Sequence, residues 1–171
     1  MKIIIENSLW GEVSCRENAC TYRLFPANIP ESAGGKKSVS AIEGSIFCTS
    51  TEEAESCCKA IISLVEKGFG EETSWLCAMD MEDLFGKVFC GEPMKYLGAL
   101  SFDKSEVERI KVAVSEATFV FCAFSLSPEN KERFPEIDGI IDEIIGRLDV
   151  DLWLQISLTH NSDEKIDVWY R

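Results

Sequence analysis

The sequence has little positive charge, and this scarcity limits the partners that the protein can have. Its 171 residues include 17 Lys and Arg against 30 Asp and Glu, which gives a formal net charge of −13. A field of that sign repels phosphate backbones and anionic lipid surfaces, because nucleic-acid binding draws much of its affinity from a concentrated basic face. Only Lys36 and Lys37 are adjacent basic residues. We therefore expect neither nucleic acid nor membrane among its partners.

Long apolar runs are also missing. No stretch approaches the roughly 18–20 consecutive apolar residues that a transmembrane helix needs. The run Ile3–Ile5 is too short for the apolar core of a signal peptide. We therefore expect a soluble cytoplasmic protein. In that reducing compartment its eight cysteines should be thiols and not disulfides.

Complete catalytic motifs are absent as well. The chain has a single histidine, and it contains no Cys-x-x-Cys, no Gly-x-Gly-x-x-Gly and no Gly-x-Ser-x-Gly. Gly35-Lys36 resembles the end of a phosphate-binding loop, but the first glycine of that motif is missing. The sequence predicts no cofactor, and it leaves open whether the protein is an enzyme.

The chain does contain the apolar periodicities that are typical of helices and of strands. Ser50 and Glu53 form a helix-capping pair, and apolar residues recur at three-to-four spacing from Ala54 to Val65. The predicted helices begin at Ser50, at Asp103 or Ser105, and at Pro135. The predicted strands are 3–5, the two arms of a hairpin within 12–25, 39–49, 73–79, 86–90, 95–102, 119–126, 151–159 and 165–170. The last two are predicted to form a closing hairpin.

Residues 45–90 and 119–169 repeat one order of elements, strand–helix–strand–strand. Matching segments are Ser45–Cys48 with Phe119–Cys122, Trp75-Leu76 with Trp153-Leu154, and Lys87-Val88 with Lys165-Ile166. We therefore predict an α+β fold, a mixed sheet with helices packed on it, built from two related β-α-β-β units. The predicted divisions are 1–38 for N-terminal strands and a loop, 39–94 for the first unit, and 95–171 for the second unit with an extra strand and helix, all in one compact domain. A ferredoxin-like order, βαββαβ over residues 45–126, is the alternative.

Cysteine is the residue type with most chemical potential here. Seven of the eight cysteines lie in the first 90 residues. Cys15 and Cys20 flank the predicted hairpin turn and, with Cys57 and Cys58, could form a four-sulfur metal site. Adjacent helical residues point about 100° apart, which argues against joint ligation by Cys57 and Cys58. Buried structural thiols are the competing interpretation, and the one we favour.

Two further groups are candidates for function. His160, in a predicted turn with Asp163 nearby, is a candidate catalytic pair, although solvated turn histidines are common. Trp153 and Trp169 are candidate interaction residues, because an aromatic patch on the face opposite the leucine row would suit a protein partner. A helix covering that face would bury them instead.

The element order of residues 117–170 resembles the C-terminal domain of the tubulin/FtsZ family. An apolar strand (119–126), an isoleucine-rich helix (136–148), an alternating strand (151–159) and a closing strand (166–170) carry the likeness. The family's glycine-rich GTP-binding loop has no counterpart, and no nucleotide-handling residue can be carried over. The resemblance implies an assembly or interaction module and not a GTPase.

These observations lead to three hypotheses. The leading one is a protein-interaction or self-association module without catalysis, with a protein partner or a homo-oligomer. The second is a thiol-dependent or metal-binding protein that uses the cysteine-rich first half. The third is a small-ligand enzyme with a cleft between the two units, at the loops that contain Asp80–Phe85 and His160–Asp163.

Overall fold

The protein belongs to the α+β class, with helices and a mixed β-sheet, as the sequence predicts. The computed structural model describes residues 1–5, 8–25, 41–69, 74–77, 83–129, 134–145, 150–158 and 164–171. The chain divides into two compact units: Met1–Glu72 with Met79–Tyr96, and Thr73–Ala78 with Leu97–Arg171. The segment Thr73–Ala78 of the second unit comes from the first half of the sequence.

The described elements follow one another in the predicted order, with the exception of Leu84–Val88. The strands are β1 (Lys2–Ile5), β2 (Ser8–Arg16), β3 (Ala19–Leu24), β4 (Ile42–Phe47), β5 (Ser74–Cys77), β6 (Met94–Leu100), β7 (Phe119–Leu126), β8 (Asp151–Leu158) and β9 (Lys165–Tyr170). The helices are α1 (Thr51–Phe69), α2 (Lys104–Ala113) and α3 (Phe134–Ile145), and a π-helix spans Leu84–Val88.

In the first unit, β1 to β4 form an antiparallel meander. The predicted hairpin is confirmed: β2 and β3 pair from Gly11 opposite Leu24 to Arg16 opposite Ala19. Glu17 lies in the turn with a positive φ of 52°, which is less costly in a tight turn than elsewhere. β4 pairs antiparallel with β3 and parallel with the start of β6, so the sheet of this unit is mixed.

Helix α1 covers one face of this sheet, where it contacts β1, β2 and β3. Its apolar stripe is buried, as its spacing predicts. The capping pair is present with a shift of one residue. Ser50 Oγ accepts a hydrogen bond from the Glu53 N–H at 3.2 Å, and the Glu53 carboxylate accepts from the Thr49 N–H at 2.8 Å. The Thr49 hydroxyl donates to the same oxygen at 2.6 Å.

Removing this cap gives the first testable prediction. Ser50→Ala leaves an amide of the first helical turn without its acceptor, so we expect the free energy of unfolding to fall by about 1 kcal/mol. Urea denaturation followed by circular dichroism measures the change. Lys59→Ala, on the exposed side of the same helix, is the control and should change stability by less than about 0.5 kcal/mol. Equal effects of the two variants would show that Ser50 does not stabilise the helix.

The second unit is built around β7. All eight of its residues are buried, which confirms the prediction of a strand covered on both faces. β8 pairs with β7 in parallel over its full length, from Phe119 opposite Asp151 to Leu126 opposite Leu158, with α3 as the crossover between them. β9 pairs antiparallel with β7 on its other side, and β5 pairs antiparallel with β8. The strand order of this unit is therefore β9-β7-β8-β5.

Two predictions about the strands are wrong. β8 and β9 do not form a closing hairpin, because β9 pairs antiparallel with β7 instead. The predicted strand 86–90 is also wrong, since Leu84–Val88 is a π-helix with Leu84, Phe85 and Val88 buried. Period-two alternation in a five-residue segment cannot exclude a single helical turn that buries the same side chains.

These differences limit the internal duplication. The order strand–helix–strand holds for β4-α1-β5 and β7-α3-β8, but the fourth element of the first copy is helical. β7 and β8 are neighbours, whereas β5 pairs with β8 and not with β4. The ferredoxin-like alternative requires β5 to pair with β6, and that pairing is likewise replaced by the one with β8.

The apolar core of the second unit follows the predicted stripes. Val107, Ile110 and Val114, at the end of α2, are buried with Ile137 and Ile140 of α3. The even-numbered residues of β7 join this cluster from the sheet, as do residues of β8 and β9. The members of the cluster on the strands include Val120, Cys122, Phe124, Leu126, Ile156, Leu158, Ile166 and Val168.

Candidate interaction face and thiol cluster

The sheet of the first unit has two chemically different faces. Residues opposite one another in an antiparallel ladder point to the same side, and the side alternates along each strand. Ile3, Val13, Tyr22 and Ile46 lie on the buried side, where α1 packs. The residues between them point away from α1 and form a second side that we call the open face. It includes Lys2, Glu12, Ser14, Arg16, Ala19, Thr21, Arg23, Glu43, Ser45 and Phe47.

A row of charges with alternating sign crosses the open face. Lys2 lies opposite Glu12, Glu12 opposite Arg23, and Arg23 opposite Glu43. All four residues are exposed. The Arg23 Nε lies 2.9 Å from Glu43 Oε1, and the two side chains remain 55% and 63% exposed. An ion pair of this exposure adds little to folding stability, so stability does not explain the row.

A second row, of hydroxyl groups, runs beside the charges. Thr21 lies opposite Ser14 on one side and opposite Ser45 on the other. Ser14 Oγ lies 2.7 Å from Thr21 Oγ1. These short side chains leave a shallow groove of about 750 Å³ lined by both rows. Phe47 borders the hydroxyl row and is 54% exposed, one of the few large apolar side chains that the described chain leaves in solvent.

On the opposite side of the same sheet lies a thiol cluster, which consists of Cys15, Cys20, Cys57 and Cys58. Cys15 and Cys20 are opposite one another on β2 and β3, as the hairpin predicts. Cys58 of α1 donates a hydrogen bond to Cys20 with a sulfur–sulfur distance of 3.2 Å. Cys20, Cys57 and Cys58 are buried, whereas Cys15 is partly exposed.

The thiols of this cluster differ in acidity. Hydrogen bonds from Cys57 and then Cys58 lower the pKa of Cys20, and they outweigh the opposing effect of burial. The hydrogen bond with Cys20 raises the pKa of Cys58, with burial second. Desolvation and the Glu55 carboxylate raise the pKa of Cys15. Within the cluster, negative charge is therefore best accommodated on the sulfur of Cys20.

The alternative for these cysteines is a four-sulfur metal site, which requires several ligand side chains placed around one ion. Cys57 and Cys58 both reach Cys20, although they are adjacent on a helix. Even so, the part of the chain that the structure describes contains no group of three or more His, Cys, Asp or Glu side chains placed to hold one metal ion. The seven described cysteines form no disulfide bond.

The remaining predicted site residues are His160, Asp163, Trp153 and Trp169. His160 and Asp163, the candidate catalytic pair, lie outside the described residues, as do Asp80 and Glu82. Trp153 is partly buried, and its Nε1 donates to Asp151 Oδ1 at 3.0 Å. Trp169 is 0% exposed, so its prediction as a surface residue needs correction. Its strand pairs with β7, and its ring stacks on Phe121 at 5.2 Å between centroids.

The open face was missed by sequence reasoning. The alternation that reveals it is present in β2 and β3, where Glu12, Ser14, Thr21 and Arg23 alternate with apolar residues. That pattern predicts one solvated side for each strand but not which strands are neighbours. Lys2 and Glu43 come from distant parts of the sequence, and only the sheet order brings them into one row.

Comparisons with known proteins do not assign this α+β protein to a family. No protein-family model matches the chain, and a search of curated proteins finds no significant match. Among the described residues, no helix combines the length and the apolar character needed to cross a bilayer.

Proposed function

We propose that this protein is a self-association module and that its open face binds the open face of a second copy. The alternating order of charges is the observation that carries the proposal. Across the strands the order is Lys2, Glu12, Arg23, Glu43. Most symmetric homodimers use one surface patch twice, so the patch must be complementary to itself under a two-fold rotation.

The charge row meets that condition. A two-fold axis that runs parallel to the strands, between β2 and β3, reverses the order of the row in the second copy. Lys2 then faces Glu43, and Glu12 faces Arg23, so each of the four contacts joins opposite charges. The short hydroxyl side chains of the neighbouring row leave room for close approach, and sheets that pack face to face lie about 10 Å apart.

The size of the face indicates a weak association. Four strands spaced by about 4.8 Å and about 20 Å long cover on the order of 400 Å² per copy. A standard stable interface buries about 800 Å² per partner. The net charge of −13 on each copy opposes association further. We therefore expect a reversible dimer that forms at high protein concentration and at physiological salt, where long-range repulsion is screened beyond about 8 Å.

A charge exchange tests the proposal. Arg23→Glu places the new carboxylate against Glu12 of the second copy, and Glu12→Arg places the new guanidinium against Arg23. We expect each variant alone to dimerise at least about tenfold more weakly than the unmodified protein, because like charges meet twice in each dimer. An equal mixture should associate again, because each contact then joins opposite charges. Sedimentation equilibrium over a concentration series measures both effects.

Two matched variants control for net charge alone. Lys59→Glu and Glu66→Arg make the same changes of charge on exposed positions of α1, away from the open face. Both should dimerise like the unmodified protein within about twofold. A monomer at every concentration, or two single variants that associate as strongly as their mixture, would exclude the second copy as the occupant.

Two further considerations support this class of function. The resemblance of residues 117–170 to the C-terminal domain of the tubulin/FtsZ family is a prediction from element order, and it favours an assembly role. We also propose a cytoplasmic location, where a reducing environment would keep cysteines in the thiol form. The enzyme hypothesis depends on His160 and Asp163, which lie outside the described residues.

A further inference from the structure

We propose that Cys20 and Cys58 form a redox modification site, in which a small hydroperoxide converts the two thiols into a reversible intrachain disulfide. The two sulfurs lie 3.2 Å apart. A disulfide bond is about 2.05 Å long, so its formation requires an approach of a little over 1 Å. We expect small rotations of the two side chains to supply a movement of that size without separating β3 from α1.

The surroundings of the pair assign the roles in this reaction. Cys20 accepts hydrogen bonds from the thiols of Cys57 and Cys58 and is the sulfur on which negative charge is stabilised. A thiolate, and not a thiol, attacks peroxide. Cys58 donates to Cys20 across 3.2 Å in the reduced state, and this contact makes it the resolving residue.

The reaction balances with hydrogen peroxide as the oxidant, and an organic hydroperoxide gives an alcohol in place of the first water. The Cys20 thiolate attacks one peroxide oxygen, the O–O bond breaks, and the products are a sulfenic acid and water once a proton is taken up. The sulfur of Cys58 then attacks Cys20, the S–O bond breaks, and the second water leaves with the Cys58 proton. Two thiols lose two electrons and two protons, and one peroxide becomes two waters. A thiol reductant reverses the modification by exchange.

Cys15 is the most exposed thiol of the cluster. It is partly exposed and lies directly opposite Cys20 in the hairpin, at a distance of about 4.5–5.5 Å between Cα atoms for such pairs. Its raised pKa makes it a poor nucleophile, so Cys15 should not be the first residue oxidised. By contrast Cys122 lies in the core of the second unit, where burial raises its pKa to about 12. It serves as an internal standard for an unreactive thiol.

Disulfide mapping of the unmodified protein tests the proposal. The folded protein is treated with one equivalent of hydrogen peroxide, the remaining thiols are alkylated, and the peptides are analysed without reduction. We expect a cross-linked peptide pair that contains Cys20 and Cys58, lost after treatment with a thiol reductant, with Cys122 still reduced. A disulfide that joins Cys20 to Cys15 or to Cys57, or a Cys20–Cys58 pair that stays reduced while other thiols react, would overturn the assignment.

Thermal unfolding gives a second, independent measurement. A bond that closes the chain across the 38-residue separation of Cys20 and Cys58 restricts the unfolded state, so oxidation should raise Tm by roughly 10 °C. Cys58→Ser should abolish that rise, whereas Cys122→Ser should retain it. An equal rise in Cys58→Ser would show that the stabilising change lies elsewhere. The charge variants of the open face should keep the full rise, because they leave both sulfurs in place.

Discussion

Replacing Trp169 by alanine is expected to destabilise the protein by about 3–5 kcal/mol, the range for removing a large aromatic side chain from a packed core. Trp169 is 0% exposed and is the largest fully buried side chain among the described residues. Its ring stacks on Phe121, directly opposite it in the β7–β9 ladder, at an interplanar angle of 25°. The loss combines buried apolar area, the aromatic contact and the cavity left behind.

Urea denaturation followed by circular dichroism measures this loss, and Trp153→Ala is the matched control. Trp153 also lies on a strand of the second unit, but it is only partly buried. Its replacement should cost about 1 kcal/mol or less once the hydrogen bond to Asp151 is counted. If Trp169→Ala were no more destabilising than Trp153→Ala, the burial of Trp169 in the core would be wrong, and its role as an interaction residue would regain support.

Gly44→Ala is expected to destabilise the first unit by about 1–3 kcal/mol, because the added methyl group has no room. A Cβ at this position would lie 2.3 Å from the Tyr22 hydroxyl oxygen and 2.5 Å from its Cζ. The ring cannot move aside freely, since it is buried and packs edge-on against Phe89 at 5.2 Å. Gly44 is therefore required for close packing against Tyr22.

Two comparisons make this prediction specific. In a Tyr22→Leu background the aromatic ring is gone, so Gly44→Ala should cost less than about 1 kcal/mol, and a double-mutant cycle should give a coupling of comparable size to the original loss. Gly139→Ala is the matched control, because nothing lies within 4 Å of a Cβ there. It should stabilise α3 by about 0.5–1 kcal/mol, the opposite sign. Equal destabilisation by both glycine variants would contradict the steric explanation.

The proposed dimer and the proposed disulfide occupy opposite sides of one small sheet. The first depends on charged side chains that contribute little to folding, and the second on thiols that are part of the buried side. Each can therefore be removed without removing the other. Arg23→Glu should leave disulfide formation intact, and Cys58→Ser should leave the charge row intact.

Local patterns along the sequence were sufficient for much of the fold. The hairpin of β2 and β3 is encoded by a polar break at Arg16-Glu17-Asn18 between two alternating segments, and α1 by its apolar stripe. The burial of β7 follows from eight consecutive residues with almost no polar side chain. In each of these cases the deciding interactions lie within a few residues of one another, so the pattern itself carries the information.

Errors occurred where partners are distant in sequence. Lys165–Tyr170 alternates equally well beside β8 or beside β7, and burial of Trp169 against Phe121 favours the second arrangement. Leu84–Val88 buries three apolar residues in a π-helical turn, a choice that depends on what surrounds it. The pairing of β5 with β8 likewise joins segments separated by about 80 residues.

By itself the sequence determined the class of the protein, the position of most of its strands and helices, and the opposition of Cys15 and Cys20 in a hairpin. Only the tertiary structure decided the sheet order, the burial of Trp169, the row of charges on the open face and the 3.2 Å contact between Cys20 and Cys58. The physical reason is common to all four. Each depends on contacts between residues far apart in the chain, and these are set by how complete elements pack and not by the periodicity within any one of them.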